Sequence, residues 1–242
     1  MEKNKPETIE NRWDILYRDY PEVYDQFADV PYNPKIIDEL HKKFNLQDKT
    51  IADIGSGSGR STIELARYAK QVLGIEPEKS MRLLAEEMTA QQGLANIRYI
   101  EGKAEEMPLH EDSVDLVVGI TTTLYPPDEV IPLFIREASR VVKQNGLIIY
   151  VDVAPEWYGG ELSEIIGEDD SHASTEHHMF VDIHGFSYVD IETVSNYGSL
   201  EKILATYGFI FGKNAINYIK KNKLTSIKWM FRAYYKEMDY YS

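Results

Sequence analysis

Residues 53–59 are the stretch of this sequence whose residue types and spacing most clearly allow chemistry. An aspartate is followed by glycines at every second position: Asp53-Ile54-Gly55-Ser56-Gly57-Ser58-Gly59. The apolar run 50–52 precedes this stretch and a helix-like segment follows it, so the glycines fall on a turn from a strand to a helix. Glycine accepts backbone angles that are closed to other residues and lets a ligand approach the main chain closely. The stretch therefore predicts a nucleotide-binding turn.

Two common nucleotide-binding turns do not match this stretch. A dinucleotide fingerprint, G-x-G-x-x-G, needs a third glycine or alanine at position 60, where this chain has Arg60. A phosphate-binding P-loop ends in Gly-Lys followed by Ser or Thr, and the sequence contains no such run. The pattern that remains is acidic-x-G-x-G-x-G.

That pattern resembles motif I of the class I S-adenosylmethionine (SAM) dependent methyltransferases. Glu76 closes the second predicted strand 21 positions after Gly55, where the family has an acidic residue. The run Gly102-Lys103-Ala104-Glu105-Glu106-Met107-Pro108-Leu109 is similar to the family's G-D-A-E-x-L-P-F, with Lys103 in place of the usual Asp. The run Asp112-Ser113-Val114-Asp115-Leu116-Val117-Val118 is similar to D-x-x-F-D-x-V. These four segments, in the order and spacing of the family, extend the resemblance over about residues 45–155.

The resemblance implies SAM as the cofactor and S-adenosylhomocysteine as its product. Glu76 is then expected to accept hydrogen bonds from both hydroxyls of the ribose, whereas the alternative is an acidic residue that favours the start of the next helix. The predicted cofactor-binding residues are Asp53, Gly55, Ser56, Gly57, Gly59, Glu76, Pro77, Met81, Lys103, Ala104, Glu105 and Thr121.

Residues that would bind the methyl acceptor are expected outside these segments. Thr121 and Tyr125 follow the fourth strand, where ligands bind at the carboxyl ends of strands in open α/β sheets. The order Tyr125-Pro126-Pro127 lacks the Asn or Asp that precedes Pro-Pro in base methyltransferases. The resemblance also implies that an N-terminal helical segment folds over the cofactor, and a tyrosine ring there would attract the sulfonium cation. The predicted substrate-binding residues are Tyr20, Tyr24 and Tyr125; loop, capping and packing roles are the alternatives.

Four of the six histidines lie within 13 residues: His172, His177, His178 and His184. Carboxylates lie among them, at Asp169, Asp170, Glu176 and Asp182. Such a density can bind a metal or supply a general base. The spacing matches no ligand motif, so we predict no metal, and a polar surface loop is the alternative. The candidate catalytic residues are Tyr24, His177 and His178.

Alternating strand-like and helix-like segments position these residues, a pattern typical of a parallel sheet with helices on both faces. Strands are predicted over 50–54, 71–75, 96–100, 114–120 and 147–153, with helices over 34–44, 61–68, 80–91 and 127–143. An insertion of loop and short helix over 154–180 precedes a strand over 186–196, a helix over 199–221 interrupted near Gly208 and Gly212, and a strand over 226–237.

This pattern agrees with what the resemblance implies: an α/β, Rossmann-like sheet of seven strands, mostly parallel with the last strand antiparallel, and helices on both faces. The chain is expected to be a single methyltransferase domain. Its parts are an N-terminal helical lid (1–33), a cofactor-binding core (34–153), an insertion after the fifth strand (154–185), and C-terminal strands and helix (186–242).

The composition restricts the kinds of partner that the protein is expected to bind. The 242 residues carry a formal charge of −14, which argues against a nucleic-acid substrate because binding a phosphate backbone needs lysine and arginine. The chain has no cysteine, no apolar run long enough to span a membrane, and no apolar core behind Met1 as in a signal peptide. We predict a cytoplasmic protein that contacts neither membrane nor nucleic acid.

The predicted function is transfer of a methyl group from SAM to a small-molecule acceptor. One alternative is a non-catalytic SAM-binding protein, regulatory or accessory to another. The other is a protein or RNA methyltransferase, which only the lysines between Lys213 and Lys228 favour. The sequence predicts neither the acceptor atom nor the oligomeric state.

Overall fold

The computed structural model describes residues 6–28, 33–157, 161 and 171–238. The chain divides into two compact units. The larger unit consists of residues 33–155, 170–191 and 231–242, and the smaller unit of residues 1–32, 156–169 and 192–230. Part of the predicted insertion (residues 158–160 and 162–170, with Asp169 and Asp170) lies outside the described residues, as do residues 29–32 of the predicted lid.

A seven-stranded sheet has the strand order β3-β2-β1-β4-β5-β7-β6. Its strands are β1 (Thr50–Ile54), β2 (Gln71–Ile75), β3 (Ile97–Ile100), β4 (Val114–Ile120), β5 (Val142–Val153), β6 (Ser187–Asn196) and β7 (Ser226–Glu237). The pairs β1–β2, β1–β4, β2–β3 and β4–β5 are parallel, and β7 runs antiparallel to β5. The predicted sheet, mostly parallel with an antiparallel last strand, is confirmed.

The α-helices of the described residues are α1 (Trp13–Asp19), α2 (Pro21–Ala28), α3 (Asn33–Phe44), α4 (Arg60–Ala66), α5 (Lys79–Gln91), α6 (Pro127–Val141), α7 (Ser171–His177), α8 (Leu200–Ile203), α9 (Phe209–Phe211) and α10 (Lys213–Asn222). A π-helical stretch over His178–Ile183 continues α7. A second one, over Leu204–Gly208, joins α8 to α9. Within the described part of the chain, no helix is both long and apolar enough to cross a membrane.

The junction between α6 and β5 differs from the prediction. We predict a helix to residue 143 and a strand from residue 147, but the helix ends at Val141 and extended backbone begins at Val142. Val142 is buried and pairs with Val114 on β4. A buried β-branched side chain favours the pleated surface of a sheet over another helical turn.

The larger unit has an aromatic core beside the carboxyl half of β5. Tyr150 and Phe180 stack with ring centroids 4.8 Å apart, and Phe180 stacks on Tyr234 at 5.0 Å. Phe134 of α6 approaches both Tyr150 and Phe180 and is fully buried. Such packing restricts the Tyr150 ring, and therefore its hydroxyl, to one position.

The smaller unit contains both N-terminal helices. Leu16 and Val23 are buried there with Tyr207 and Phe209, and the Tyr20 and Tyr24 side chains pack against the same cluster. The Tyr20 ring meets Phe209 edge to face, with centroids 5.0 Å apart. These contacts account for the two tyrosines by ordinary packing; their predicted acceptor roles stay predictions.

Candidate active site

The glycine turn joins β1 to α4 with a backbone that residues other than glycine rarely adopt. Gly55 has φ +65° and Gly59 has φ +85°, both in the left-handed region. A Cβ on Gly55 would run into the side chain of Thr122, and one on Gly59 would run into Tyr99 and Ala85. Close packing therefore adds to the conformational reason for glycine at both positions.

Asp53 lies beneath this turn and is 1% exposed. Its Oδ2 accepts hydrogen bonds from Thr62 Oγ1 at 2.6 Å and from Ser61 Oγ at 3.2 Å, which join β1 to α4. Its Oδ1 is buried without a partner among the described residues. Burial, together with the nearby charge of Glu76, raises the pKa of Asp53 to about 7.

Glu76 follows β2 and holds the glycine turn against the next helix. One carboxylate oxygen accepts a hydrogen bond from the Gly57 N–H and the other from the Glu78 N–H, each at 2.9 Å. Each oxygen keeps a lone pair for a further donor. The side chain is 8% exposed and lines a cavity, so those lone pairs are available to a ligand with two hydroxyl groups.

Arg82, which the sequence reasoning missed, fixes the position of Glu76. One guanidinium nitrogen donates to the carbonyls of Glu76 and Pro77, both at 2.7 Å, and another pairs with Glu101 at 2.5 Å. The Arg82 side chain is 12% exposed. No motif marks Arg82; a helical arginine six residues after an acidic strand end is its only sequence signal.

Replacing Arg82 by methionine is expected to weaken binding of S-adenosylhomocysteine by about tenfold, because the loop carrying Glu76 loses hydrogen bonds worth roughly 1.5–3 kcal/mol each. Calorimetric titration measures this affinity. Arg98→Met is the matched control, since Arg98 is exposed on β3, and it should bind as the wild type does. Equal affinities for the two variants would contradict the positioning role of Arg82.

A cavity of about 400 Å³ opens at the carboxyl ends of β1, β2 and β4. Its lining includes seven of the predicted cofactor-binding residues and one predicted substrate-binding residue: Gly55, Glu76, Pro77, Lys103, Ala104, Glu105, Thr121 and Tyr125. The remaining lining residues are Ile54, Gly102, Thr122, Thr123, Leu124 and Val130. Asp53, Ser56, Gly57, Gly59 and Met81 are not among the lining residues; Asp53 and Ser56 are buried, and Met81 is 44% exposed.

The charges and backbone of the cavity fit SAM better than a pyrophosphate cofactor. Its lining carries the carboxylates Glu76 and Glu105 and a single ammonium, Lys103, a balance that favours a cationic sulfonium over a polyanion. Reciprocal backbone hydrogen bonds between Lys103 and Glu106 close a turn that brings Ala104 and Glu105 to the wall. These residues would hold the adenosine part, with the ribose on Glu76.

Residues 121–125, which follow β4, form another side of the cavity. Thr121 is β-branched yet has φ +51°, an uncommon conformation fixed by a hydrogen bond from its N–H to the Val151 carbonyl. The Thr122 carbonyl accepts a hydrogen bond from the Tyr150 hydroxyl at 2.6 Å. Tyr125 is 69% exposed, and its ring centroid lies 5.8 Å from that of His172.

Two carboxylates meet the same Tyr150 hydroxyl. Glu176 Oε1 lies 2.8 Å from the hydroxyl oxygen and Asp152 Oδ2 lies 3.2 Å from it. His172 Nε2 lies 3.1 Å from Glu176 Oε1, an interaction that raises the pKa of His172. Burial and the charge of Glu176 raise the pKa of Asp152 to about 7. Tyr150, Asp152, Glu176 and His172 are called the carboxylate cluster below.

The sequence reasoning missed Asp152 and Tyr150 as site residues. Asp152 follows the buried run 147–151 at the carboxyl end of a strand next to β4, a position that could have identified it. Tyr150 gives no such signal, because tyrosine in a buried strand is usually a packing residue.

His177 and His178 do not line the cavity in the described structure. The His177 ring lies 5.3 Å from Tyr188 and 5.8 Å from Tyr234, and its Nδ1 lies 3.3 Å from an Arg232 nitrogen. His178 is exposed and pairs with Asp182 at 2.9 Å. The histidine that approaches the cavity is His172, through Tyr125. Among the described residues, no group of three or more His, Asp and Glu side chains is arranged to hold a metal.

Comparison with known proteins agrees with this geometry. Residues 51–146 match the family described as methyltransferase domain. The uncharacterized methyltransferase YcgJ of Bacillus subtilis is 31% identical over 107 residues, which are 44% of this chain and 42% of that protein. A demethylmenaquinone methyltransferase of Bacillus velezensis is 26% identical over 174 residues, covering 66% of this chain and 69% of that protein.

The fold is shared with solved methyltransferase structures. A SAM-dependent methyltransferase from Aquifex aeolicus has a TM-score of 0.58 at 18% identity, covering 90% of this chain and 97% of its own. Residues 51–146 therefore match a methyltransferase domain, and the chain shares its fold with solved SAM-dependent methyltransferases. The part of this chain that aligns with YcgJ covers less than half of that protein's length.

Proposed function

We propose that this protein transfers a methyl group from SAM to a small-molecule acceptor. The observation that carries the proposal is the Glu76 carboxylate, which is held by two backbone N–H groups at the wall of a cavity of about 400 Å³. Cavities that bind cofactors and small molecules generally have volumes of 300–1,000 Å³, so this one suits a nucleoside and an adjoining acceptor.

SAM, when bound, supplies an electrophilic methyl group on a sulfonium. The protein contributes position: Glu76 and the turn of Ala104 and Glu105 orient the adenosine, while the strained Thr121 and its neighbours shape the side where the acceptor enters. Holding both reactants in near-attack geometry accounts for most of the rate in such displacements. No covalent bond to the protein is needed.

Relatives support a small acceptor. Proteins similar to this chain include a demethylmenaquinone methyltransferase and a ubiquinone biosynthesis O-methyltransferase, whose names refer to small molecules. The formal charge of −14 also disfavours a nucleic-acid acceptor.

Calorimetric titration of the full chain tests the cofactor. We expect S-adenosylhomocysteine to bind with a dissociation constant in the micromolar range and NAD⁺ to bind far more weakly. Absence of S-adenosylhomocysteine binding at millimolar concentration would overturn the proposed function.

A further inference from the structure

We infer that the carboxylate cluster is the acceptor-recognising and proton-accepting part of the site, and that the methyl acceptor is a basic amine. The inference rests on the proposed methyl transfer and deepens it by naming the class of acceptor. Asp152 and Glu176 are the residues assigned to bind the amine and take its proton.

The carboxylate cluster is in contact with residues that line the cavity. Asp152 directly follows Val151, whose carbonyl binds the N–H of the cavity residue Thr121. The Tyr150 hydroxyl, which contacts both carboxylates, also donates to the carbonyl of the cavity residue Thr122. Tyr125 of the lining and His172 of the cluster face each other. These contacts join the cluster to residues 121–125, which line the cavity after β4.

Hydrogen-bond donors and acceptors are not balanced around Tyr150. Three oxygens (the Thr122 carbonyl, Asp152 Oδ2 and Glu176 Oε1) surround one hydroxyl that has a single proton to donate. With both carboxylates ionised, two of the three close oxygen pairs lack a proton between them. A further proton, or a cation with several N–H donors, would supply the hydrogen-bond donors that these oxygens lack.

The charge of the cluster favours a cationic acceptor. The titratable and charged groups facing the pair are Tyr150 on β5, His172 on α7 and Tyr234 on β7, and the Arg232 guanidinium, which acts on Tyr234, pairs with Asp190. Two carboxylates with one histidine attract an ammonium ion and repel an acceptor that is already anionic. A carboxylate whose pKa is about 7 also matches the removal of a proton from an ammonium better than from an alcohol, whose proton is held far more tightly.

Methyl transfer to the amine begins with the transfer of a proton to the protein. The bound ammonium gives one proton to Asp152 or Glu176, which leaves the nitrogen with a lone pair. The lone pair forms a bond to the methyl carbon while the carbon–sulfur bond breaks and sulfur keeps the bonding electrons. The products are a methylated ammonium, S-adenosylhomocysteine, and a proton that leaves the carboxyl group for solvent.

Turnover with chemically sorted acceptor pools tests the inference. Formation of S-adenosylhomocysteine from SAM is measured with a pool of primary and secondary amines and with pools of matched alcohols, phenols and thiols. We expect turnover with the amine pool. With it, Asp152→Asn should lower kcat by about 100-fold, the lower range for loss of a general base, while the affinity for S-adenosylhomocysteine changes by less than about threefold.

One control variant and two further variants of the cluster accompany this test. Asp182→Asn, an exposed carboxylate on the segment that follows α7, should leave turnover unchanged. If Asp152→Asn does not fold, Glu176→Gln provides the same readout, and Asp152→Glu should restore part of the rate. Wild-type rates in Asp152→Asn, turnover confined to a non-amine pool, or turnover with no pool by protein that binds S-adenosylhomocysteine would overturn the inference. Loss of S-adenosylhomocysteine binding by the wild type would instead overturn the proposed function.

Discussion

Replacing Glu76 by alanine is expected to weaken binding of S-adenosylhomocysteine by about 100-fold. Hydrogen bonds to a charged group contribute roughly 1.5–3 kcal/mol each, and a 100-fold loss corresponds to about 2.7 kcal/mol. The same change leaves the Gly57 and Glu78 N–H groups without their acceptor, so the free energy of unfolding should also fall, by roughly 1–3 kcal/mol. Calorimetric titration and urea unfolding measure the two quantities.

The neighbouring Glu78 supplies the control for this prediction. Its side chain is exposed, and its backbone N–H, which Glu76 binds, survives substitution. Glu78→Ala should therefore bind S-adenosylhomocysteine within about twofold of the wild type, because a surface substitution of this kind has little effect. An unchanged affinity in Glu76→Ala would show that the ribose does not meet this carboxylate.

Asp53→Asn is expected to flatten the pH dependence of stability. The pKa of Asp53 in the folded protein is about 7, against an ordinary value of 3.8, so the folded state retains a proton that the unfolded state loses. The stability this provides is fully present below pH 4 and is lost as the pH rises through 7. The difference between the two pKa values corresponds to about 4 kcal/mol as an upper limit.

Urea unfolding of the ligand-free protein at pH 5 and pH 8 measures this effect. The wild type should lose more stability between these pH values than Asp53→Asn does, whereas Asp48→Asn, at an exposed position with φ +60°, should behave as the wild type. Asp152 shifts in the same direction, so some pH dependence should remain in Asp53→Asn. Parallel wild-type and Asp53→Asn curves would contradict a buried, partly protonated Asp53.

Sequence reasoning predicts well where local pattern and sheet geometry agree. The alternation of Gly55, Gly57 and Gly59 can be recognised because each has a left-handed backbone that other residues rarely adopt. Glu76 can be recognised because the end of β2 lies beside the end of β1 in a parallel sheet. The four parallel pairings follow from the regular alternation of strands and helices, whereas the antiparallel β7 is what the family resemblance implies.

Prediction from the sequence fails where a site depends on contacts between distant parts of the chain. Tyr150 and Glu176 are 26 residues apart, and only the stacking of Tyr150 on Phe180 brings the hydroxyl to the carboxylate. The histidine-rich segment indicated a general base, but helical spacing turns His177 toward Tyr188 and leaves His172 beside Glu176. Composition identifies such a segment, while only packing selects the residue that reaches the site.

The crystal structure of this protein with S-adenosylhomocysteine is the measurement that tests the account most directly. We expect both ribose hydroxyls within hydrogen-bond distance of the Glu76 carboxylate, the adenine against Ala104 and Glu105, and the sulfur facing Thr121 and Tyr125. A ligand bound outside this cavity, or a ribose that does not contact Glu76, would contradict it.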